Sequence, residues 1–225
     1  MYLEIFKAEN TGNDLSIMLS GVCDTFSSVI WDVEYFSPGK FEIYVSANAE
    51  TIALFQRGNI VGRSDDKQHY GIIEGVYLRT DAESGDYLTI SGRFLMCLLN
   101  RRIIQPTLSF TAYHTYGEIV QTAVQRNCIR SWAKAERVIP ALEIGDVSGA
   151  CWDTRTRLQI SYENLMEWIY TVCQNIGGTA NIRLREVSDG KYTMYFELSQ
   201  GTDRSIMQQE NMPVVFSDVY DNLLT

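Results

Sequence analysis

Side chains able to carry a reaction are sparse and scattered in this sequence. There are two histidines, His69 in a polar stretch and His114 just before a helix cap. Neither has a second histidine, cysteine or carboxylate at metal-ligand spacing, so a zinc site would have to be assembled from distant elements. No G-x-S-x-G nucleophile elbow occurs, and a serine near a histidine along the chain carries no triad geometry. Asp65–Asp66 and the acidic turn Glu83–Asp86 offer the pair of carboxylates that glycoside hydrolysis needs on opposite sides of a bond, but as neighbours in polar turns they read as solvated. Tyr113, Tyr116, Trp132 and Trp152 would make a sugar-stacking platform, except that Tyr116 already belongs to a helical apolar stripe. Gly58, Gly62, Gly71 and Gly75 form no phosphate-binding fingerprint and mark turns, bulges or close strand contacts instead. The five cysteines (Cys23, Cys97, Cys128, Cys151 and Cys173) are far apart, and their odd number argues against a complete disulfide framework. Several fall on apolar faces and read as buried thiols. No residue is assigned a catalytic, cofactor-binding or metal-binding role, and no cofactor is implied.

The bulk numbers agree with a folded, non-catalytic reading. A chain of 225 residues with 45% hydrophobic and 21% charged residues can bury one large core or two small ones and is not a disordered segment. The formal charge of −9 repels phosphate, so a broad, sequence-specific nucleic-acid surface is not expected. The start, MYLEIFKAEN, lacks a basic stretch followed by an apolar run, and no apolar stretch approaches the ~20 residues that span a bilayer. Neither a signal peptide nor a membrane span is expected. The 13 tyrosines and 4 tryptophans supply amphipathic area suited to protein interfaces.

Periodicity predicts short antiparallel strands through about Gln105. Leu3 and Ile5 open a strand, TGND over Thr11–Asp14 turns, and Ser16–Leu19 returns. Val29, Trp31, Val33 and Tyr35 alternate on one arm of a hairpin, Ser37-Pro38-Gly39 turns, and Phe41, Ile43 and Val45 alternate on the other. Asn48 caps a brief helix through Phe55. Ile60–Arg63 is extended and Arg63–His69 is a polar loop. The organising stretch, Tyr70–Ile104, is a strand through Leu78, a turn over Asp81–Gly85, a return through Ile90, and a buried helix capped by Ser91 that carries Phe94, Leu95, Met96, Leu98 and Leu99 up to the basic turn Arg101–Arg102.

After Pro106 the character changes. Thr115 and Glu118 form a capping box, opening a helix with Tyr116, Ile119, Val120, Ala123 and Val124 on one stripe. Val138–Ile144 is a strand, and Gly145–Thr156 is a loop holding Trp152. A second amphipathic helix starts near Ser161 and ends at Gly177-Gly178. A hairpin follows, with Ala180, Ile182 and Leu184 on one arm, a Ser188-Asp189-Gly190 turn, and Tyr192, Met194, Phe196 and Leu198 on the other. The fold class predicted is α+β, mainly β: a small N-terminal β-barrel over residues 1–106, then an α+β domain with two amphipathic helices over 107–200. Residues 201–225 (Met212, Val214, Phe216) start a further β segment that returns to a barrel or is completed elsewhere.

The segments SSVIWDVEYFSPGKFEIYVSA, ALFQRGNIVG, YGIIEGVYLR and LTISGRFLMCLLNRRII resemble the first domain of siphophage tail hub, or tail-tip, proteins, a family related to the baseplate hub of contractile tails. The pattern is carried by Gly71–Glu74 and by Ile90–Arg102, and extends more loosely to the helix pair and the closing DVYDNLLT. The resemblance implies a non-enzymatic structural protein of a phage or prophage tail, made in the bacterial cytoplasm and located in the virion tail. It implies a homotrimer whose barrels form a pseudo-sixfold ring joining the tail tube to the distal tail and tip components. No membrane partner is implied, and an acidic surface suits a channel that DNA traverses without adhering. Two other readings are open: a tail-associated cell-wall hydrolase and a carbohydrate-binding adaptor.

Overall fold

The structure is a computed structural model that describes residues 1–11, 14–81, 85–129 and 132–215. It is mainly β. The strands are β1 (Leu3–Thr11), β2 (Asp14–Cys23), β3 (Phe26–Asp32), β4 (Lys40–Ser46), β5 (Ile60–Arg63), β6 (Asp66–Asp81), β7 (Gly85–Phe94), β8 (Leu108–Thr115), β9 (Leu142–Val147), β10 (Arg155–Ile160), β11 (Gly178–Ser188) and β12 (Lys191–Gln200). The helices are α1 (Ala49–Leu54), α2 (Tyr116–Cys128) and α3 (Leu165–Ile176), with 3-10 turns at Leu95–Arg101, Ala135–Arg137 and Ala150–Asp153. One ten-stranded sheet runs in the order β11-β12-β2-β1-β5-β6-β7-β4-β3, with β9 added parallel to β12. β10 and β8 form a separate two-stranded ribbon.

No ladder closes this sheet into a barrel among the described residues. β3 pairs with β4, and β2 pairs with β1 and, at Ile17 and Met18 alone, with β12. The closed barrel predicted for residues 1–106 is therefore corrected to an open, strongly curled sheet. Its curl is evident from its core: Leu3 and Ile5 of β1 share one buried cluster with Phe41, Ile43 and Val45 of β4, although three strands separate β1 from β4 in the sheet. β2 and β3 follow one another through Asp24-Thr25, yet no ladder joins them among the described residues.

The curl is tight because β6 and β7 present bare backbone to Phe41. A Cβ on Gly71 would lie 2.3 Å from the Phe41 ring, and one on Gly92 would lie 2.0 Å from the Ile72 carbonyl and 2.8 Å from the same ring. Beside Gly71, a bulge between Ile73 and Gly75 sets Glu74 outside the regular register, and its carboxylate accepts two hydrogen bonds from Arg93 at 2.7 and 2.9 Å. The Gly71–Glu74 and Ile90–Arg102 patterns thus mark close packing and a cross-strand ion pair.

A second, larger core lies under the helices. It gathers Ile119, Val120 and Val124 of α2, Leu165, Ile169 and Cys173 of α3, Ile182, Met194 and Phe196 of the β11–β12 hairpin, and Leu95, Met96 and Leu99. β1, β5 and β6 are shared walls: Leu3, Ile5, Val61 and Ile73 enter the first core, whereas Phe6, Ile60 and Tyr70 enter the second. Alternation along a strand makes this possible, because successive side chains leave opposite faces.

Several local expectations shift. Ser91 does not cap a helix; it sits in the β7 ladder opposite Glu42 and Gly75, and the 3-10 turn begins after Phe94 without a side-chain cap. Pairing on both sides of β7 outweighs a local capping preference. β6 starts at Asp66, inside the predicted polar loop. Val33 and Tyr35 lie beyond the end of β3, because Tyr35 is drawn across to the other half of the molecule. β9 covers Leu142–Val147 and not Val138–Ile144, and α3 starts at Leu165 with Asn164 as its cap. The capping box of Thr115 and Glu118 is present in both directions, each hydrogen bond 3.1 Å long. Parts of the TGND and Asp81–Gly85 turns, Phe216 and DVYDNLLT lie outside the described residues.

Candidate functional site

A cleft of about 560 Å³ lies where the β3–β4 connection faces the β11–β12 hairpin. One wall is the connection from Val33 to Pro38, a second is Gln68 and His69 near the start of β6, and a third is formed by Thr179, Asn181 and Arg183 of β11 with Ser199 and Gln200 at the end of β12 and Gly201 and Thr202 just after it. Tyr35 locks the walls together. Its hydroxyl donates to the Gly177 carbonyl at 3.3 Å and accepts from the Gly201 amide at 2.8 Å, while its own carbonyl accepts from the Thr179 hydroxyl at 2.8 Å. The side-chain amide of Asn181 adds a hydrogen bond to the Gln68 carbonyl.

Behind this cleft lies the most organised polar cluster in the N-terminal half. Asp66 Oδ2 receives the Trp31 indole N–H at 3.1 Å and lies 2.8 Å from His69 Nδ1, and Oδ1 accepts from the Gln68 amide at 2.9 Å. Burial pushes the Asp66 carboxyl up, but the hydrogen bonds from His69, the Gln68 backbone and Trp31 outweigh it and hold the group far below the usual carboxylate range. Asp65 diverges from its neighbour and pairs with Arg63 at 2.7 Å on the surface. The two aspartates therefore do not form a catalytic pair across a bond.

The other sequence candidates are separated. His114 Nδ1 lies 3.4 Å from Glu118 on an exposed first turn. Tyr113 stacks under Arg157 at 4.1 Å and Trp132 under Arg126 at 5.1 Å, whereas Trp152 is fully buried, so these aromatic residues make no common platform. Trp152 donates its indole N–H to the Ser199 carbonyl at 2.9 Å and lies over Gly178. Cys23, Cys97, Cys128 and Cys173 are buried, and Cys151 is half-buried. Burial pushes the Cys97 thiol up to about 11 and those of Cys128 and Cys173 up to about 12, which leaves them protonated and unreactive at neutral pH. Among the described residues, no group of three or more His, Cys, Asp or Glu side chains is placed to hold a metal, and no helix is long and apolar enough to cross a membrane. The cleft itself was not legible beforehand, since its walls come from segments more than a hundred positions apart and no local motif joins them.

A second surface feature is the end of the sheet. β3 has a ladder on one side only, and beyond Met18 the outer edge of β2 is unpaired among the described residues. Met18, Leu19, Val22 and Ile30 are each about half exposed along these strands. Unpaired backbone beside apolar side chains is chemistry that favours pairing with another chain.

Comparison with known proteins gives this architecture its setting. Residues 10–225 match the family described as Siphovirus ReqiPepy6 Gp37-like protein. No curated protein sequence matches significantly. Among solved structures, the chain is similar to prophage tail protein gp18 from Listeria monocytogenes EGD-e, with a TM-score of 0.51 and 10% identity over 89% of this chain and 51% of that one. The tail protein from Neisseria meningitidis MC58 gives a TM-score of 0.48 and 13% identity over 87% and 50% of the two chains. The 43 kDa tail protein of prophage MuSo2 from Shewanella oneidensis gives 0.46 and 15% over 86% and 53%. The chain spans about half the length of these structures. With the family match running through almost the whole sequence, the chain belongs to the Siphovirus ReqiPepy6 Gp37-like family.

Proposed function

We propose that this chain is a structural component of a phage or prophage tail, acting as the hub at the tail tip or baseplate that joins the tube to tip proteins. The observation that carries this reading is the fold shared with a prophage tail protein by a chain of a siphovirus family. The unpaired edges of β2 and β3, with their half-exposed apolar side chains, supply a surface for subunit docking by strand pairing. In this reading residues 1–106 form the docking domain, 107–200 an α+β domain facing neighbouring subunits, and 201–225 lead into further β structure. The assembled form is a homotrimer in the virion tail, with tube, distal tail and tip proteins as partners and no enzymatic role.

The test is the mass of the full-length gene product by light scattering, with negative-stain imaging. A ring of three copies is the expected result. A compact monomer that clears bacterial cell walls in a zymogram, with clearing lost on a single carboxylate substitution, would overturn it.

A further inference from the structure

We propose that the cleft between the β3–β4 connection and the β11–β12 hairpin is a binding site for an uncharged oligosaccharide. This goes beyond the hub reading and does not depend on it, because the cleft is recessed and uses none of the sheet-edge residues invoked for docking.

Its size lies within the ~300–1,000 Å³ typical of small-ligand sites. Its lining selects the ligand class. Gln68, Ser199 and Thr202 are neutral side chains able both to donate and to accept hydrogen bonds, whereas Ser37 is already engaged by Glu34 and the Gly39 amide, and Asn181 by the Gln68 carbonyl and the Ile182 amide. A phosphate would call for an excess of donors, a cation for acceptors alone, and an apolar ligand for an apolar lining. Of the acidic and basic side chains in the lining, Glu34 accepts a hydrogen bond from Ser37 and Arg183 is paired with Glu197, so both are already engaged within the protein. Free neutral groups that donate and accept, set among apolar lining from Val33, Pro38 and Ala180, match a sugar, whose hydroxyls also donate and accept and whose ring has apolar C–H faces. Tyr35, pinned at its hydroxyl by Gly177 and Gly201, lines the cleft, and its ring already meets Phe36 edge to face with centroids 4.8 Å apart.

His69 is the organised element of the site. Asp66 engages Nδ1 and is itself held by Trp31 and the Gln68 amide, so the ring orientation is fixed from behind. With Nδ1 engaged by Asp66, Nε2 meets no hydrogen-bond partner among the described residues, which leaves that nitrogen available to a ligand hydroxyl as donor or acceptor. A ring nitrogen held in place on the wall of a polar cleft is preorganised for a ligand hydroxyl, which can both donate and accept.

Titration calorimetry of the full chain against a panel of neutral oligosaccharides built from glucose, galactose, rhamnose and N-acetylglucosamine tests the assignment. Saturable binding by at least one member is expected, and His69→Ala is expected to weaken it about tenfold or more. Because His69→Ala also strips a partner from Asp66, Gln68→Ala serves as the second variant; its side chain is exposed and makes no hydrogen bond among the described residues. It should weaken binding several-fold with an unchanged melting temperature. Binding by none of the panel up to about 10 mM, or binding indifferent to both substitutions, would overturn the proposal.

Discussion

Trp152→Ala should be the most damaging single truncation in the second core, and the structure sets its size. The side chain is fully buried, on a 3-10 turn that precedes β10, and it packs where a Cβ on Gly178 would come within 2.6 Å of the ring. A buried indole covers roughly 150–250 Å² of surface, which at ~25 cal/mol per Å² is about 4–6 kcal/mol as an upper bound. Measured truncations of buried aromatics cost ~3–5 kcal/mol. The lost hydrogen bond to the Ser199 carbonyl adds ~1 kcal/mol. Against a total stability of ~5–15 kcal/mol, this loss brings the chain close to unfolding at 37 °C. Trp152→Phe separates the two contributions, since it retains most of the apolar bulk and removes the N–H; its expected cost is ~1–3 kcal/mol. Urea denaturation followed by far-UV circular dichroism measures both. A further consequence is local: Cys151 donates its amide to Gln200 Oε1 at 3.3 Å, and Gln200 lines the cleft, so loosening this turn also loosens a cleft wall. A Trp152→Ala loss below about 1 kcal/mol, or a Trp152→Phe loss equal to it, would refute the reasoning that ring packing and not the indole hydrogen bond dominates here.

Three other perturbations follow from the geometry. Gly71→Ala and Gly92→Ala should each cost several kcal/mol, but Phe41→Leu should partly rescue only the first, because the second also meets the Ile72 carbonyl at 2.0 Å; a double-mutant cycle by denaturation reads the difference. Asp66 has a folded carboxyl pKa below its ordinary value of 3.8, so its contribution is complete above about pH 4 and is lost as pH falls towards the depressed value; the stability deficit of Asp66→Asn should therefore be largest at neutral pH and shrink on acidification, and a pH-independent deficit would contradict this. Glu197 is buried against Arg183 at 3.0 Å and against Arg185, so Glu197→Ala should cost about 2 kcal/mol or more, less than a fully buried pair because both arginines retain solvent contact; thermal melting checks it.

What could be read from the sequence was the structure written in short-range patterns. The Thr115–Glu118 capping box, the two amphipathic helices and the Ser188-Asp189-Gly190 hairpin each depend on residues within a dozen positions of one another, and each formed. Asp189 and Gly190 both adopt positive φ, as the tight turn requires. The β8–β10 ribbon was missed although Leu108 and Phe110 alternate on one strand and Thr156, Leu158 and Ile160 on the other, because both strands sat beside stronger helix signals. The pairing of β12 with β2 joins residues more than a hundred and seventy positions apart, so strands from both ends of the chain share one sheet. Periodicity identifies which face of a strand is buried, not which strand lies beside it. The same limit hid the cleft, where His69 acquires meaning only when Asp66 fixes its ring and β11 approaches from the far end of the chain.

The shared wall has a mechanical consequence that can be measured. In β1, β5 and β6, adjacent side chains enter opposite cores, so neither core can open without exposing the other: Ile5 and Phe6 are both buried, as are Ile60 and Val61. Separating the halves would expose both sets at once, at ~1.5–3 kcal/mol for each large apolar side chain. A hinge between the two cores is thus costly. Amide hydrogen exchange should show it directly. The amides of β1, β5 and Tyr70–Ile73 should exchange only through global unfolding, and β3 and the β8–β10 ribbon, which among the described residues carry ladders on one side only, should exchange through smaller local openings. If β1 and β5 exchanged as fast as the ribbon, the two cores would be opening independently and the coupling through their common wall would be wrong.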